Sequence, residues 1–173
     1  MGPCEIVWNY GESGAINLGP FLGATTFTGE TAVENIEEER YGQAAVDAIM
    51  TGTAVSLELS MTRSTYEQLT EVLNAQYSSG DTLRLRNQLG CEMYEDAKQL
   101  VIKPICDGVV STDPSEWVHI YHAYPVPKWE LTWDRSTQRI FPITFMVFVS
   151  QVSGWLGDFG TLGMAAGSTK FGI

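Results

Sequence analysis

Residues 53–61, TAVSLELSM, alternate strictly: Val55, Leu57, Leu59 and Met61 take one side, and Ala54, Ser56, Glu58 and Ser60 the other. A period of two predicts an antiparallel strand buried on one face and wet on the other. The same signal, in shorter form, predicts strands at Cys4 to Asn9, Ala24 to Asn35, Thr82 to Asn87, Lys98 to Ile105, Trp117 to Tyr124, Trp129 to Trp133 and Arg139 to Val149. Asp134-Arg135-Ser136-Thr137 supplies a turn that would join the last two as a hairpin. The period changes to that of a helix only over Thr65 to Ala75, where Tyr66, Leu69, Val72 and Leu73 form an apolar stripe. Ser64 is placed to cap it, with Glu67 completing a capping box, and Ser78-Ser79-Gly80-Asp81 ends it. The pattern therefore predicts a single mainly β domain over residues 1–173, a sandwich or barrel-forming set of sheets with one amphipathic helix.

Three segments interrupt this pattern. Residues 11–23 are glycine-rich, residues 37–52 have little strand character, and residues 154–173 carry glycines at 154, 157, 160, 163, 167 and 172. Connections beyond about 12–15 residues are uncommon in compact domains and are usually functional or disordered. Three in one small domain are expected to be arms that order against other subunits.

Composition narrows the function classes. The chain has 10 basic and 21 acidic residues, a formal net charge of −11, with 44% hydrophobic and 18% charged residues. That hydrophobic content supports a real core. The negative charge opposes any grip on nucleic acid, because binding a phosphate backbone requires neutralising cations. Three cysteines, Cys4, Cys91 and Cys106, show no CxxC spacing, so neither a disulfide framework nor a zinc site is expected, and free thiols in a reducing cytoplasm are. The N-terminus lacks a basic stretch followed by an apolar core, so no signal peptide is expected. The longest apolar run, Ile140 to Val149, contains Pro142 and Thr144 and falls short of the roughly 20 residues of a membrane helix.

Candidate chemistry is sparse. Glu34, Glu37, Glu38 and Glu39 crowd into six positions. Paired carboxylates serve acid–base and glycosidase chemistry, yet clustered like charges are mostly solvated, and the spacing of a calcium loop is absent. His119 and His122 are the only histidines; in a regular strand their separation sends them to opposite faces, against a shared metal. The spaced glycines of Gly154-Trp155-Leu156-Gly157-Asp158-Phe159-Gly160 do not open a helix, which argues against a dinucleotide fingerprint and for flexible backbone that permits close approach to a neighbour. No nucleophile–base pairing is evident, so no catalytic residue, metal or cofactor is assigned.

The passage Tyr41-Gly42-Gln43-Ala44-Ala45-Val46-Asp47-Ala48-Ile49-Met50-Thr51-Gly52, followed by the strand to Met61 and the helix near 65–75, resembles the tail tube (major tail) proteins of tailed bacteriophages. In that family a strand leads into a loop ending in a turn like VDAI-x-TG, then an alternating strand, then one helix. Arg139 to Phe145 is similar to the family's closing strand, and Trp155 to Gly163 to its C-terminal element. As an order of elements the likeness spans about three quarters of the chain. Ala45 stands where a proline is frequent, and residues 90–116 have no counterpart.

The resemblance implies a virion structural protein, not an enzyme. Its subunits would close into hexameric rings whose inner sheets line a lumen, and the rings would stack into a tube. Implied partners are further copies of itself, the tape measure protein, and the tail terminator and distal tail proteins. Double-stranded DNA would pass through without specific binding, and no membrane is involved. The protein would be made in the bacterial cytoplasm and reside in the virion tail. An inter-subunit loop is then expected around Glu37, Glu38, Glu39, Arg40, Tyr41, Val46, Asp47, Ile49 and Thr51, with Arg40 as a partner for the glutamates. Ser56, Glu58 and Ser60 are the candidate lumen face, and Trp155, Phe159 and Leu162 the C-terminal arm contacts. Two alternatives remain: the inner tube of a contractile tail or type VI-like apparatus, or a β-sandwich module binding carbohydrate or a receptor through Trp129, Trp133 and Trp155.

Overall fold

The computed structural model describes residues 3–19, 21, 23–37, 40, 45–62, 65–72, 76–78, 82–84, 92–127, 140–154 and 156–163. Its strands are β1 (Cys4–Trp8), β2 (Ile16–Asn17), β3 (Thr26–Glu37), β4 (Ala45–Met61), β5 (Gln76–Ser78), β6 (Thr82–Arg84), β7 (Lys98–Cys106), β8 (Val109–Val110), β9 (Val118–Pro127), β10 (Phe141–Phe148) and β11 (Gly160–Leu162), with one α-helix among the described residues, α1 (Tyr66–Val72), and a short 3-10 turn at Pro114–Glu116. The protein is mainly β. Nine of the strands form one antiparallel sheet in the order β2-β1-β7-β9-β10-β4-β3, with β8 added to β7 and β11 to β9, while β5 and β6 pair separately.

The alternation in the sequence builds the core. Leu57, Leu59 and Met61 of β4 are buried together with Ile6 and Trp8 of β1, Leu100 and Ile102 of β7, Val118, Ile120 and Ala123 of β9, and Ile143, Phe145 and Val147 of β10. These side chains share one face of the sheet, and the sheet curls around them. In a flat sheet β1 and β3 would stand five strand spacings, about 24 Å, apart. Instead the Cys4 thiol lies 3.6 Å from the Thr25 hydroxyl, one residue before β3. The rings of Trp8 and Phe145, three strands apart in the order, are likewise 5.2 Å apart. The result is a single rolled sheet that is not a closed barrel, in place of two stacked sheets.

Helix α1 packs on the core through the fully buried Val72. Its capping box sits one residue later than the sequence predicts: the Gln68 backbone N–H donates to Thr65 Oγ1 at 3.3 Å, and the Thr65 N–H to Gln68 Oε1 at 2.8 Å. Ser64 and Leu73–Ala75 lie outside the described residues, and Glu67 is an exposed first-turn acid. The Gln68 amide also donates to the Asn17 carbonyl, tying the helix to the end of β2.

The predicted arms are partly strand. Within residues 11–23, Ile16 and Asn17 form β2 and Leu18 is fully buried. The passage 37–52, expected to be a loop, is half strand, because β4 begins at Ala45 and pairs with β3 out to Glu37. Its side chains show no one-sided burial pattern, which hid it in the sequence; a ladder needs only paired backbone groups, and β-branched Val46, Ile49 and Thr51 favour that conformation. In the C-terminal segment, β11 resumes on β9 the pairing that β10 leaves: Phe148 faces His122, and Gly160 faces Ile120. Between them the chain makes an excursion closed at its base by Ser150 N–H to Asp158 O at 2.8 Å and Gly157 N–H to Ser150 O at 2.9 Å. Trp129 to Trp133 and the predicted turn at 134–137 lie outside the described residues, although β9 and β10, on either side of them, do pair antiparallel.

Candidate assembly surfaces

The first surface is the far half of the β3–β4 hairpin. Beyond Gly29 and Ala54 every described residue is exposed, on both faces of the ribbon. The ladder continues through two irregularities, between Ala32 and Val33 and between Ile36 and Glu37. Thr51 is the extra residue of the first, and its hydroxyl donates to the Ala32 carbonyl at 3.3 Å. A Thr31–Thr53 hydroxyl contact at 3.3 Å adds a cross-strand link. Among the described residues the arm is held by its backbone ladder, these hydroxyl bonds and the Ala48 N–H donating to Asp47 Oδ1 at 2.8 Å. Its apolar side chains face solvent: Val33 is 56% exposed, Ile49 55% and Met50 69%, with Ile36 and Val46 similar. Val33 sits opposite Met50, and Ile49 opposite Glu34, so apolar side chains lie on both faces of the ribbon.

Of the predicted inter-subunit residues, Glu37, Val46, Asp47, Ile49 and Thr51 lie on this arm as strand residues, correcting the expected loop. Arg40 is exposed at the turn, and Glu38, Glu39 and Tyr41 lie outside the described residues. The ion pairs among the described residues are Lys98–Glu71 and Lys103–Glu5; Arg40 joins neither. Sequence reasoning passed over Val33, Ile36 and Met50, which the alternating Thr31-Ala32-Val33-Glu34-Asn35-Ile36 carries as a weak signal.

The second surface is the outer face of the roll over β3, β4 and β10. Ser56, Glu58 and Ser60 lie there, away from the core, as their positions in the alternation require. Direct ladder partners share a face, so Thr28 stands beside Ser56, Thr26 and Thr144 flank Glu58, and Met146 lies on the other side of Ser56. The patch is hydroxyl-rich, has one central carboxylate, and carries no Lys or Arg among these residues. The flanking threonines are missed by a reading of 53–61 alone; the alternation of Thr26-Phe27-Thr28 is the signal for them.

A third cluster lies on the outer face over β1, β7 and β9. Lys98 pairs with Ala123 and Leu100 with Ile120, so β9 carries one extra residue between those rungs. That bulge overturns the expectation that His119 and His122 face opposite ways. His119 pairs with Val101, outside the main core, and His122 with Phe148, the neighbour of inward-facing Val147, so both imidazoles lie on the outer face. They still do not meet in one site. His119 packs between Tyr10 (5.5 Å) and Trp117 (6.3 Å), and His122 against Tyr94 (4.8 Å). Lys103 Nζ sits 4.5 Å from the Trp117 ring and 3.8 Å from Glu5 Oε1. Burial, helped by the Lys103 charge, lowers the His119 pKa to about 4, and burial also lowers that of His122. Neutral rings wedged among aromatics are packing groups, and no cluster of three metal-ligating side chains exists among the described residues.

The C-terminal contacts divide. Phe159 packs against the main core and so belongs to the fold, not to an arm. Leu162 is 81% exposed, and Trp155, like Trp129 and Trp133, lies outside the described residues. No helix among the described residues is long and apolar enough to cross a membrane. No protein-family model matches the chain, and no curated protein matches it either.

Proposed function

We propose that this chain is a structural subunit of a bacteriophage tail tube, closing into hexameric rings that stack around a DNA conduit. The observation that carries the reading is the β3–β4 arm, a formed ribbon whose apolar side chains on both faces have no cover among the described residues. Exposed apolar patches of this kind mark interaction sites, and a ribbon exposed on both sides suits insertion between neighbouring copies. Among the described residues β3 is also an edge strand over Thr26–Glu37, and an edge of that length invites pairing with a neighbour, which ring closure would satisfy.

The hydroxyl-rich face around Glu58 is then the lumen wall. A wall without cations has nothing to hold phosphates, and the −11 charge per chain, multiplied around a ring, repels duplex DNA and keeps it mobile. The tape measure protein would fill the lumen during assembly, and terminator and distal tail proteins would close its ends.

Negative-stain microscopy and sedimentation velocity test the proposal. Purified chain at rising concentration is expected to give rings or short tubes. Ile49→Asp combined with Met50→Asp is expected to abolish them while leaving a folded monomer. A wild-type chain that stays monomeric throughout overturns the proposal.

A further inference from the structure

The two faces of the β3–β4 arm differ in charge. Direct ladder partners share a face. Phe27 stands opposite the buried Leu57, so Phe27, Thr31 and Val33, at even spacing along β3, lie on the side that continues the core face of the sheet. β3 advances without an extra residue, whereas Thr51 and Val46 are extra residues of β4. The parity of β3 therefore holds to its end, and the bulge at Thr51 shifts that of β4, so that Thr53 and then Met50 stand on the core side opposite Thr31 and Val33. From Phe27 and Leu57 out to Asn35 and Ala48 this side carries no ionisable group. The other side holds Glu30, Glu34 and Asp47, in line with Glu58. Its apolar residues are each set against an acid: Ile49 faces Glu34, and Ile36 faces Asp47. On the core side Val33 faces Met50, apolar against apolar. Neither strand contains a Lys or Arg to neutralise the acidic side.

We propose that the arm docks through its core-side face alone, and that what covers this face is a second copy of the chain. The inference deepens the assembly reading above; it rests on self-association and not on the tube. Charge decides the side. A second copy brings a formal charge of −11. Seating it on the acidic side would strip water from Glu30, Glu34 and Asp47 beside a surface of the same sign, and an unpaired buried carboxylate is costly. The core side has no charge to desolvate, in keeping with the depletion of charged residues at interface centres. Phe27, Val33 and Met50 are exposed on it and supply apolar area. The Thr31 and Thr53 hydroxyls already contact one another at 3.3 Å, which lowers the cost of covering them. Insertion between copies thus has a direction, with the core-side face against the neighbour and the carboxylates toward water.

Adjacent residues of β3 carry the test, since Ala32 and Val33 are both exposed and lie on opposite sides. Val33→Glu and Ala32→Glu add the same charge one residue apart. By sedimentation velocity, Val33→Glu is expected to raise the concentration needed for assembly at least tenfold, and Ala32→Glu less than threefold. Two native methionines give a second readout that needs no substitution. Met50 lies on the core side of the arm, and Met146, beside Ser56, on the outer face of the roll. With hydrogen peroxide as the oxidant and peptide mass spectrometry as the detector, assembly is expected to slow sulfoxide formation at least tenfold at Met50 and less than threefold at Met146. Equal weakening by Val33→Glu and Ala32→Glu, or Met50 oxidised as fast in the assembly as in the monomer, overturns the proposal while the assembly reading stands. A greater loss from Ala32→Glu gives the docking to the acidic side and also overturns it. So does slow Met50 oxidation in dilute monomer, which would mean that the chain covers its own arm. A wild-type chain that never self-associates overturns both readings.

Discussion

Two residues govern local stability through contacts that the sequence does not advertise. A Cβ at position 160 would lie 2.0 Å from the His119 carbonyl oxygen, so β11 can approach β9 only with glycine there. Gly160→Ala is expected to cost more than about 2 kcal/mol, as overpacking against fixed backbone does, measured by urea unfolding. Gly52→Ala, which meets nothing within 4 Å and lacks the positive φ that would strain it, serves as the control. His119 supplies a pH dependence. Its folded pKa is lowered by burial to about 4 from the ordinary 6.5, so between those values the unfolded chain takes up the proton and the folded chain does not. The stability it contributes is whole above about pH 6.5 and is lost as pH falls toward 4, on the order of 3 kcal/mol. His119→Phe is expected to flatten that part of the stability profile; an unchanged profile would relocate the effect to another group.

At the scale of elements, the β3–β4 hairpin divides into a rooted half and a free half. The rooted half buries Leu57, Leu59 and Met61; the free half contributes no side chain to either buried cluster. Replacing residues 32–52 by an Asn-Gly turn, which leaves Thr31 and Thr53 as the flanking pair, is therefore expected to change monomer stability by no more than about 1 kcal/mol while eliminating assembly. A large loss of monomer stability would mean that the arm packs on its own chain. Phe145→Ala, at the centre of the roll against Trp8, is expected to cost about 3–5 kcal/mol by the cavity it leaves, read from denaturant midpoints.

At the scale of the molecule, charge and apolar contact oppose one another. Each copy carries −11, so bringing copies together costs repulsion that salt screens, the Debye length falling from about 10 Å at 0.1 M to 3 Å at 1 M. The concentration at which rings appear is expected to fall as salt rises, followed by sedimentation velocity. An assembly that weakens with salt would point instead to attractive ion pairs as the dominant contact.

What was readable in the sequence was whatever repeats locally. One-sided burial writes itself into a period of two, so the rooted half of β4, the strands β1, β7, β9 and β10, and the polar face at Ser56, Glu58 and Ser60 were legible before any coordinates. The helix was legible to within a residue at its start, because capping is local chemistry. In the outer half of the hairpin the β3 side lay within the strand expected at Ala24 to Asn35, but residues 45–52 of β4 were not legible, since they are exposed on both faces and carry no one-sided alternation. The common face of His119 and His122 was not, because one extra residue in β9 inverts the parity and nothing at the bulge announces it. The rolling of the sheet, the meeting of Cys4 with Thr25 and the passage of Phe159 from arm to core depend on which strands are neighbours across the whole chain. Those pairings are long-range, and only the tertiary structure decides them.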